Sequence, residues 1–251
     1  MTMRIDLNCD MGESYGAWKM GNDEAILPFV TSANIACGYH GGDPATMRKT
    51  VAAAIKNKVA LGAHPGLPDL QGFGRRNMSI TDQEAYDMVV VQVGALAAVA
   101  ASQGAKLRHV KAHGQLYNMA VKDAGLAHAL AQACFDVDKN LVFFGLAASH
   151  MIPIAEKIGV TVVSEVFGDR SYQADGTLMP RNRPGAMITD VEQSIKQVLQ
   201  MVQTGTLTAA DGTTVKVRAD TLCIHGDQPG AIPFAQAIRK ALAEAGIEVG
   251  Y

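Results

Sequence analysis

Asp6, Asn8 and Asp10 alternate with Ile5, Leu7 and Cys9 along the first strand-like run of this chain. Side chains on a strand alternate faces with period two, so the three polar groups project into one space. Residues 107–113 repeat the pattern with His109, Lys111 and His113, and residues 222–227 end on His225 and Asp227, two apart. In a sheet wrapped by helices neither strand face is expected to be polar, so polar sets of this kind are costly unless they build a site. Neighbouring carboxylates push one pKa upward and provide a proton donor near neutrality. Asp6, Asn8 and Asp10 therefore read as catalytic acid, base and orienting amide. Glu13, in the loop beyond, either joins them or is solvated.

Four of the seven histidines, His40, His64, His113 and His225, fall at or just past expected strand ends, each beside glycine or proline. One such histidine can merely cap a strand, but four in register point to a shared mouth. Glycine beside them would let a substrate approach the backbone. His128 and His150 lie in helical segments and are read as structural. Lys111 on an inward strand face needs a carboxylate or an anionic ligand. Glu165 is its candidate partner, with a purely structural ion pair or Schiff-base chemistry as the other readings. Arg170 and Arg183 are candidates to hold a substrate carboxylate bidentately, with Tyr172 beside Arg170. The loop with Gly72, Gly74, Arg75 and Arg76 suits a lid, a phosphate contact or a plain surface turn. No phosphate-loop, dinucleotide, HExxH or GxSxG motif occurs. The histidines and aspartates can hold a divalent metal, but their spacing demands none, and no metal ligand is assigned.

These residues need a scaffold. Strand-like runs recur near 3–9, 30–37, 58–63, 107–112, 140–145, 160–167 and 221–225, mostly separated by helices. Asp43-Pro44 opens one helix, Thr81 and Glu84 form a capping box for another, and Thr189 with Glu192 marks a third. A final helix begins near Pro229. Strand alternating with helix implies parallel strands and right-handed crossovers. Polar strand ends from first to last favour a closed barrel, whose mouth gathers every strand end, over an open sheet with one switch point. Seven strands predict an irregular (β/α)7 barrel, one α/β domain over 1–251, with hairpins turning at Asp175-Gly176 and Asp211-Gly212.

The 251 residues suffice for a large core, and the formal charge of −2 gives no reason to expect nucleic acid or an anionic membrane as partner. No apolar run suggests a transmembrane span and no signal-peptide core is evident. The four cysteines lack CxxC spacing and read as reduced packing residues in a cytoplasmic protein.

Asp6-Leu7-Asn8-Cys9-Asp10-Met11-Gly12-Glu13-Ser14 resembles the opening signature of the LamB/YcsF family. So do residues 34–43, 62–66, 110–114, 116–118, 165–172 and 223–227, so that the resemblance spans essentially the whole chain. It implies a (β/α)7 barrel akin to polysaccharide deacetylases and some glycosidases. It also implies the A subunit of a bacterial ATP-dependent 5-oxoprolinase, which converts 5-oxo-L-proline, ATP and water to L-glutamate, ADP and phosphate together with subunits B and C. ATP, with Mg2+, would be co-substrate. The alternative is a metal-dependent deacetylase or amidohydrolase acting without ATP, which tightly held stoichiometric zinc would favour. A non-catalytic sugar- or lactam-binding protein has little need for so many titratable groups.

Overall fold

The computed structural model describes residues 3–224 and 230–250. In chain order the elements are β1 (Arg4–Met11), α1 (Asp23–Ile26), β2 (Ser32–Ala36), α2 (Pro44–Lys56), β3 (Ala60–His64), α3 (Asp82–Ala101), β4 (His109–Lys111), α4 (Gly114–Ala120), α5 (Ala124–Val137), β5 (Val142–Leu146), α6 (Met151–Ile158), β6 (Thr161–Phe167), α7 (Val191–Thr204), β7 (Thr206–Thr208), β8 (Thr214–Lys216), β9 (Thr221–Ile224), α8 (Ala231–Glu244) and β10 (Glu248–Val249). β1 to β6 pair in sequence, all parallel, and β9 pairs with both β6 and β1, so seven strands close into a ring. β10 adds to the base of β1. β7 and β8 form the hairpin expected around Asp211-Gly212, and a bridge between Tyr172 and Leu178 closes the turn at Asp175-Gly176.

Local sequence explains where the helices begin. Asp43 accepts from the amides of Ala45 and Thr46, with Pro44 in the first turn of α2. Thr81 and Glu84 make the reciprocal capping box of α3. The box expected from Thr189 does not form. Asp190 caps α7 instead, accepting from Gln193 N at 2.7 Å, because a carboxylate one residue later offers the stronger acceptor. α3 corrects the reading that no segment suggests a span: its 20 residues are long and apolar enough to cross a membrane by length and composition alone. Here it packs against α5 and buries Ala85, Val89, Val93, Leu96 and Ala100.

Ile5, Leu7, Cys9 and Met11 on β1 face outward into the apolar layer beneath the helices and are fully buried. The inner faces carry polar side chains in tiers where barrels of this class usually stack Val, Ile and Leu. At the base, Asp6 accepts from Thr31, Ser32 and Thr221 hydroxyls. Above it, Asn8 donates to Thr221 at 2.8 Å and to Glu165 at 3.1 Å, and accepts from Asn34 at 2.7 Å. His109 occupies the same tier, its Nε2 2.8 Å from Asn34 Oδ1 and its ring stacked on Phe144 at 4.3 Å. Gly62 makes room for that ring, since a Cβ at this position would collide with His109 Nε2.

Gly62→Ala should therefore destabilise the barrel by at least the upper end of the usual overpacking cost, about 1–3 kcal/mol. Chemical denaturation checks this, and an unchanged midpoint would show that His109 has room to move.

Candidate active site

The top tier of the lumen is built around Lys111. Its Nζ lies 2.8 Å from Glu165 Oε1, 2.9 Å from Asp10 Oδ1, 3.2 Å from Asn8 Oδ1 and 3.1 Å from Cys223 Sγ. Burial pushes its pKa down, but the carboxylates of Asp10 and Glu165 outweigh that and hold it well above the usual lysine range, so the ammonium is charged. Burial raises the Cys223 thiol, which stays neutral and accepts from Lys111. The other Glu165 oxygen accepts from Tyr117 OH at 2.8 Å, and Asp10 Oδ1 also accepts from Asn34 at 2.8 Å. The partner expected for Lys111 is thus present, but the lysine serves two carboxylates rather than one.

Beside this pair stand three histidines. His64 Nδ1 is 2.7 Å from the Lys111 carbonyl and its Nε2 is 3.4 Å from Asp10 Oδ2. His113 Nε2 is 2.8 Å from the Phe73 carbonyl, and its Nδ1 is 3.0 Å from His64 Nε2. The rings of His113 and His40 stack in parallel at 3.6 Å. Burial, then the neighbouring histidines, hold His40 well below the normal imidazole range, and the same causes act on His113 against an opposing pull from Asp10. Both rings are therefore neutral, as stacking at this distance requires. Glu13 is buried, its Oε1 3.3 Å from His40 Nε2 and 3.4 Å from His113 Nδ1. Glu13 is thus not the solvated glutamate of one reading, and it stands with the histidines rather than among the carboxylates and amide of β1 as the other expected.

The histidine-bearing loops meet through close backbone approaches. A Cβ on Gly42 would fall 2.7 Å from the carbonyls of Ala36 and Gly12, and its φ of +78° also favours glycine. Gly42 thus lets one loop pack on another, whereas Gly114 lines the cavity beside His113. Likewise the 72–76 loop is not a free lid. Phe73 lies edge-on to His40 and His113, and Arg76 is clamped to Asp69.

A cavity of about 810 Å³ opens above Lys111, lined among others by Asp10, His64, Lys111, His113, Tyr117 and Arg170. Three placements differ from expectation. Asp6 sits at the barrel's closed base, its carboxylate occupied by three hydroxyls, so it braces strands and is not an acid in the mouth. Tyr172 is fully buried with its hydroxyl accepting from Phe167 N at 2.7 Å, which makes it a corner post beneath the loop and not a substrate contact. Arg181, and not Arg183, lines the cavity, because residues 180–186 form a turn (Arg183 N to Pro180 O, 2.9 Å) that leaves Arg183 exposed. Arg170 faces the cavity but donates through Nε and Nη2 to the carbonyls of Ala186 and Met179, fastening that turn. His225 and Asp227 lie outside the described residues. His128 is exposed and His150 Nε2 bonds the Ala120 carbonyl at 3.1 Å, both away from the lumen. The sequence reading misses Asn34, Tyr117 and Cys223. Of these Asn34 carries a signal, since it shares the inward face of β2 with Ser32.

The chain matches the model of the LamB/YcsF family over residues 5–251. It belongs to that family. A relative from Bordetella pertussis, named as the A subunit of 5-oxoprolinase, is 68% identical over 249 residues, covering 99% of both chains. The crystal structure of a lactam utilization protein from Thermus thermophilus superposes with a TM-score of 0.93 at 47% identity over 99% of both chains. A family 4 carbohydrate esterase from Streptomyces lividans shares the fold, with a TM-score of 0.50 at 12% identity over 99% of this chain and 92% of that one.

Lys111→Met should cost about 3–5 kcal/mol, because it leaves the buried Glu165 and the half-buried Asp10 without the cation they share. Adding Glu165→Gln should recover much of that loss in thermal melts, without restoring the charge that Asp10 faces. A single variant that melts like wild type would show that the triad contributes little to stability.

Burial, followed by the Lys111 charge, lowers the His109 pKa to about 3. Its folded pKa lies below the unfolded value near ~6.5, so its contribution to stability is complete above pH ~6.5 and falls as pH drops towards 3. In that window the slope from this one proton is about 1.4 kcal/mol per pH unit. His109→Gln should remove that component from stability measured between about pH 6 and 4, and an unaltered slope would contradict the assignment.

Proposed function

We propose that this chain is the A subunit of an ATP-dependent 5-oxoprolinase, opening the lactam of 5-oxo-L-proline to L-glutamate while ATP becomes ADP and phosphate. The observation that carries the reading is the cavity's charge. Five Lys and Arg side chains against two Asp line it, the pair Asp10 and Lys111 at its floor, which suits a small anionic substrate such as a carboxylate or an acyl phosphate. The name of the relative at 68% identity over nearly the whole chain supports the same substrate.

A five-membered lactam is a poor electrophile because nitrogen donates into its carbonyl, and phosphorylation of the amide oxygen would relieve that. Asp10 then takes the proton of the attacking water and passes it to the departing nitrogen, leaving an acyl phosphate that a second water hydrolyses to phosphate and the side-chain carboxylate of glutamate. Lys111, rigid between Asp10 and Glu165, stabilises the negative charge that develops on oxygen without reorganising. Arg75, Arg170 and Arg181 around the rim attract the substrate carboxylate and the phosphoryl group. With no phosphate-loop motif in the sequence, productive ATP use falls to the partners, subunits B and C, with Mg2+ accompanying the nucleotide. The four cysteines are buried free thiols, consistent with the reducing cytoplasm as site of action.

ADP release from 5-oxoproline and ATP should be absent with this chain alone and appear when the B and C partners are added. In that assembly Asp10→Asn should lower turnover by at least ~100-fold, the size of a lost acid–base group, whereas exposed His128→Ala should leave it unchanged. Robust turnover by the isolated chain, or equal losses in both variants, would overturn the reading.

A further inference from the structure

Two backbone carbonyls fix the protons of His64 and His113. A carbonyl only accepts, so His64 carries its proton on Nδ1, 2.7 Å from the Lys111 oxygen, and His113 carries its own on Nε2, 2.8 Å from the Phe73 oxygen. The remaining lone pairs, on His64 Nε2 and His113 Nδ1, point at each other across 3.0 Å. Glu13 Oε1 stands 3.4 Å from His113 Nδ1, and Asp10 Oδ2 stands 3.4 Å from His64 Nε2. Two buried imidazole lone pairs meeting in this way repel each other unless a proton or a metal cation lies between them, and the carboxylates of Glu13 and Asp10 beside them favour the cation.

The spacing identifies the cation's class. Bonds of about 2.0–2.2 Å from zinc to nitrogen and oxygen, arranged tetrahedrally, separate neighbouring donor atoms by roughly 3.3–3.6 Å. His113 Nδ1 to Glu13 Oε1, at 3.4 Å, falls within that range, and the two imidazole nitrogens, at 3.0 Å, lie about 0.3 Å closer than it, a gap that a small outward turn of either ring opens. One donor atom from each of Glu13, His40, His64 and His113 falls within 4.8 Å of the others. His40 is not an equal ligand, however. Its ring is parallel to that of His113 at 3.6 Å, and one ion cannot lie in both ring planes. His40 Nε2 instead braces Glu13 at 3.3 Å. The carbonyl on the far nitrogen of both His64 and His113 is the outer contact that orients metal-bound imidazoles.

We propose that Glu13, His64 and His113 hold a divalent transition-metal ion of the zinc class at the floor of the cavity, with Asp10 beside its open side. Two imidazole nitrogens select such an ion over Mg2+, which prefers oxygen donors. Any part the ion plays in lactam opening rests on the function proposed above, but its binding does not; with a metal expected in either case, dependence of turnover on ATP, and not the zinc itself, separates that function from an amidohydrolase acting without ATP.

Full-length chain, stripped by chelator dialysis, is titrated with Zn2+ and with Co2+ by calorimetry, and the cobalt spectrum is recorded. About one ion per chain is expected, with the intense visible bands of low-coordinate cobalt and a melt raised by Zn2+. His64→Ala and His113→Ala should each weaken binding by at least ~100-fold and erase the melt shift, while His128→Ala keeps both. Glu13→Gln, which preserves shape, should weaken binding and alter the cobalt bands, and it stands in should a histidine variant fail to fold. Unchanged affinity in the folded variants, or a strongly downfield proton resonance shared by the two rings in a chain that takes up neither ion, would overturn the site. An ion bound in a chain that never supports 5-oxoprolinase turnover would uphold the site and defeat only the functional reading.

Discussion

The buried ammonium of Lys111 organises everything above the base of this barrel. A charged amine taken out of water is costly, and only the two carboxylates beside it, Asp10 from β1 at 2.9 Å and Glu165 from β6 at 2.8 Å, make it tolerable. Those strands lie on different arcs of the ring, with β4 carrying the lysine between them. Closing the barrel and pairing the charges are therefore one event. Asn8, Asn34 and Tyr117 donate further hydrogen bonds to these carboxylates, so each charged group has partners on several elements. A network so connected is rigid, and rigidity is what lets a fixed charge stabilise a transient one.

Neutral histidines complement that charged core. Burial and the Lys111 charge hold His109 deprotonated, and burial, followed by the neighbouring histidines, holds His40 below the normal imidazole range. Backbone carbonyls then decide which nitrogen of His64 and His113 carries the proton. Site geometry is thus set less by the side chains' own preferences than by where β4 and the 72–74 turn place two carbonyl oxygens. The same carbonyls make the two lone pairs converge, and Glu13, delivered by the loop after β1, closes the third side.

Polar tiers where this fold class normally packs branched aliphatics cost stability, and the helix layer offsets it. Leu7, Cys9, Ile35, Val110 and Phe143 are fully buried beneath the surrounding helices. The apolar driving force therefore sits outside the ring while the lumen is left for chemistry. A lumen so polar suits a polar ligand better than an apolar one, which would leave these groups without water or partners.

Period-two alternation in residues 4–10 and 107–113 is enough to reveal which side chains face inward, since that pattern is a local property of an extended chain. Capping residues locate α2 and α3 for the same reason, and strand–helix alternation over seven strands, with polar ends from the first strand to the last, implies the closed parallel ring. Height within the lumen is not local. Asp6 and Asp10 look equivalent in sequence, yet strand register places Asp6 level with Thr221 and Asp10 level with Asn34, so one is sealed at the base and the other reaches the mouth. Tyr172 and Arg183 sit beside real site residues along the chain but belong to a turn whose fold directs one inward and one to solvent. Sequence determined which residues share a face. Only tertiary structure decided which of them meet, because strand register and loop-on-loop packing set distances that neighbours along the chain cannot sense.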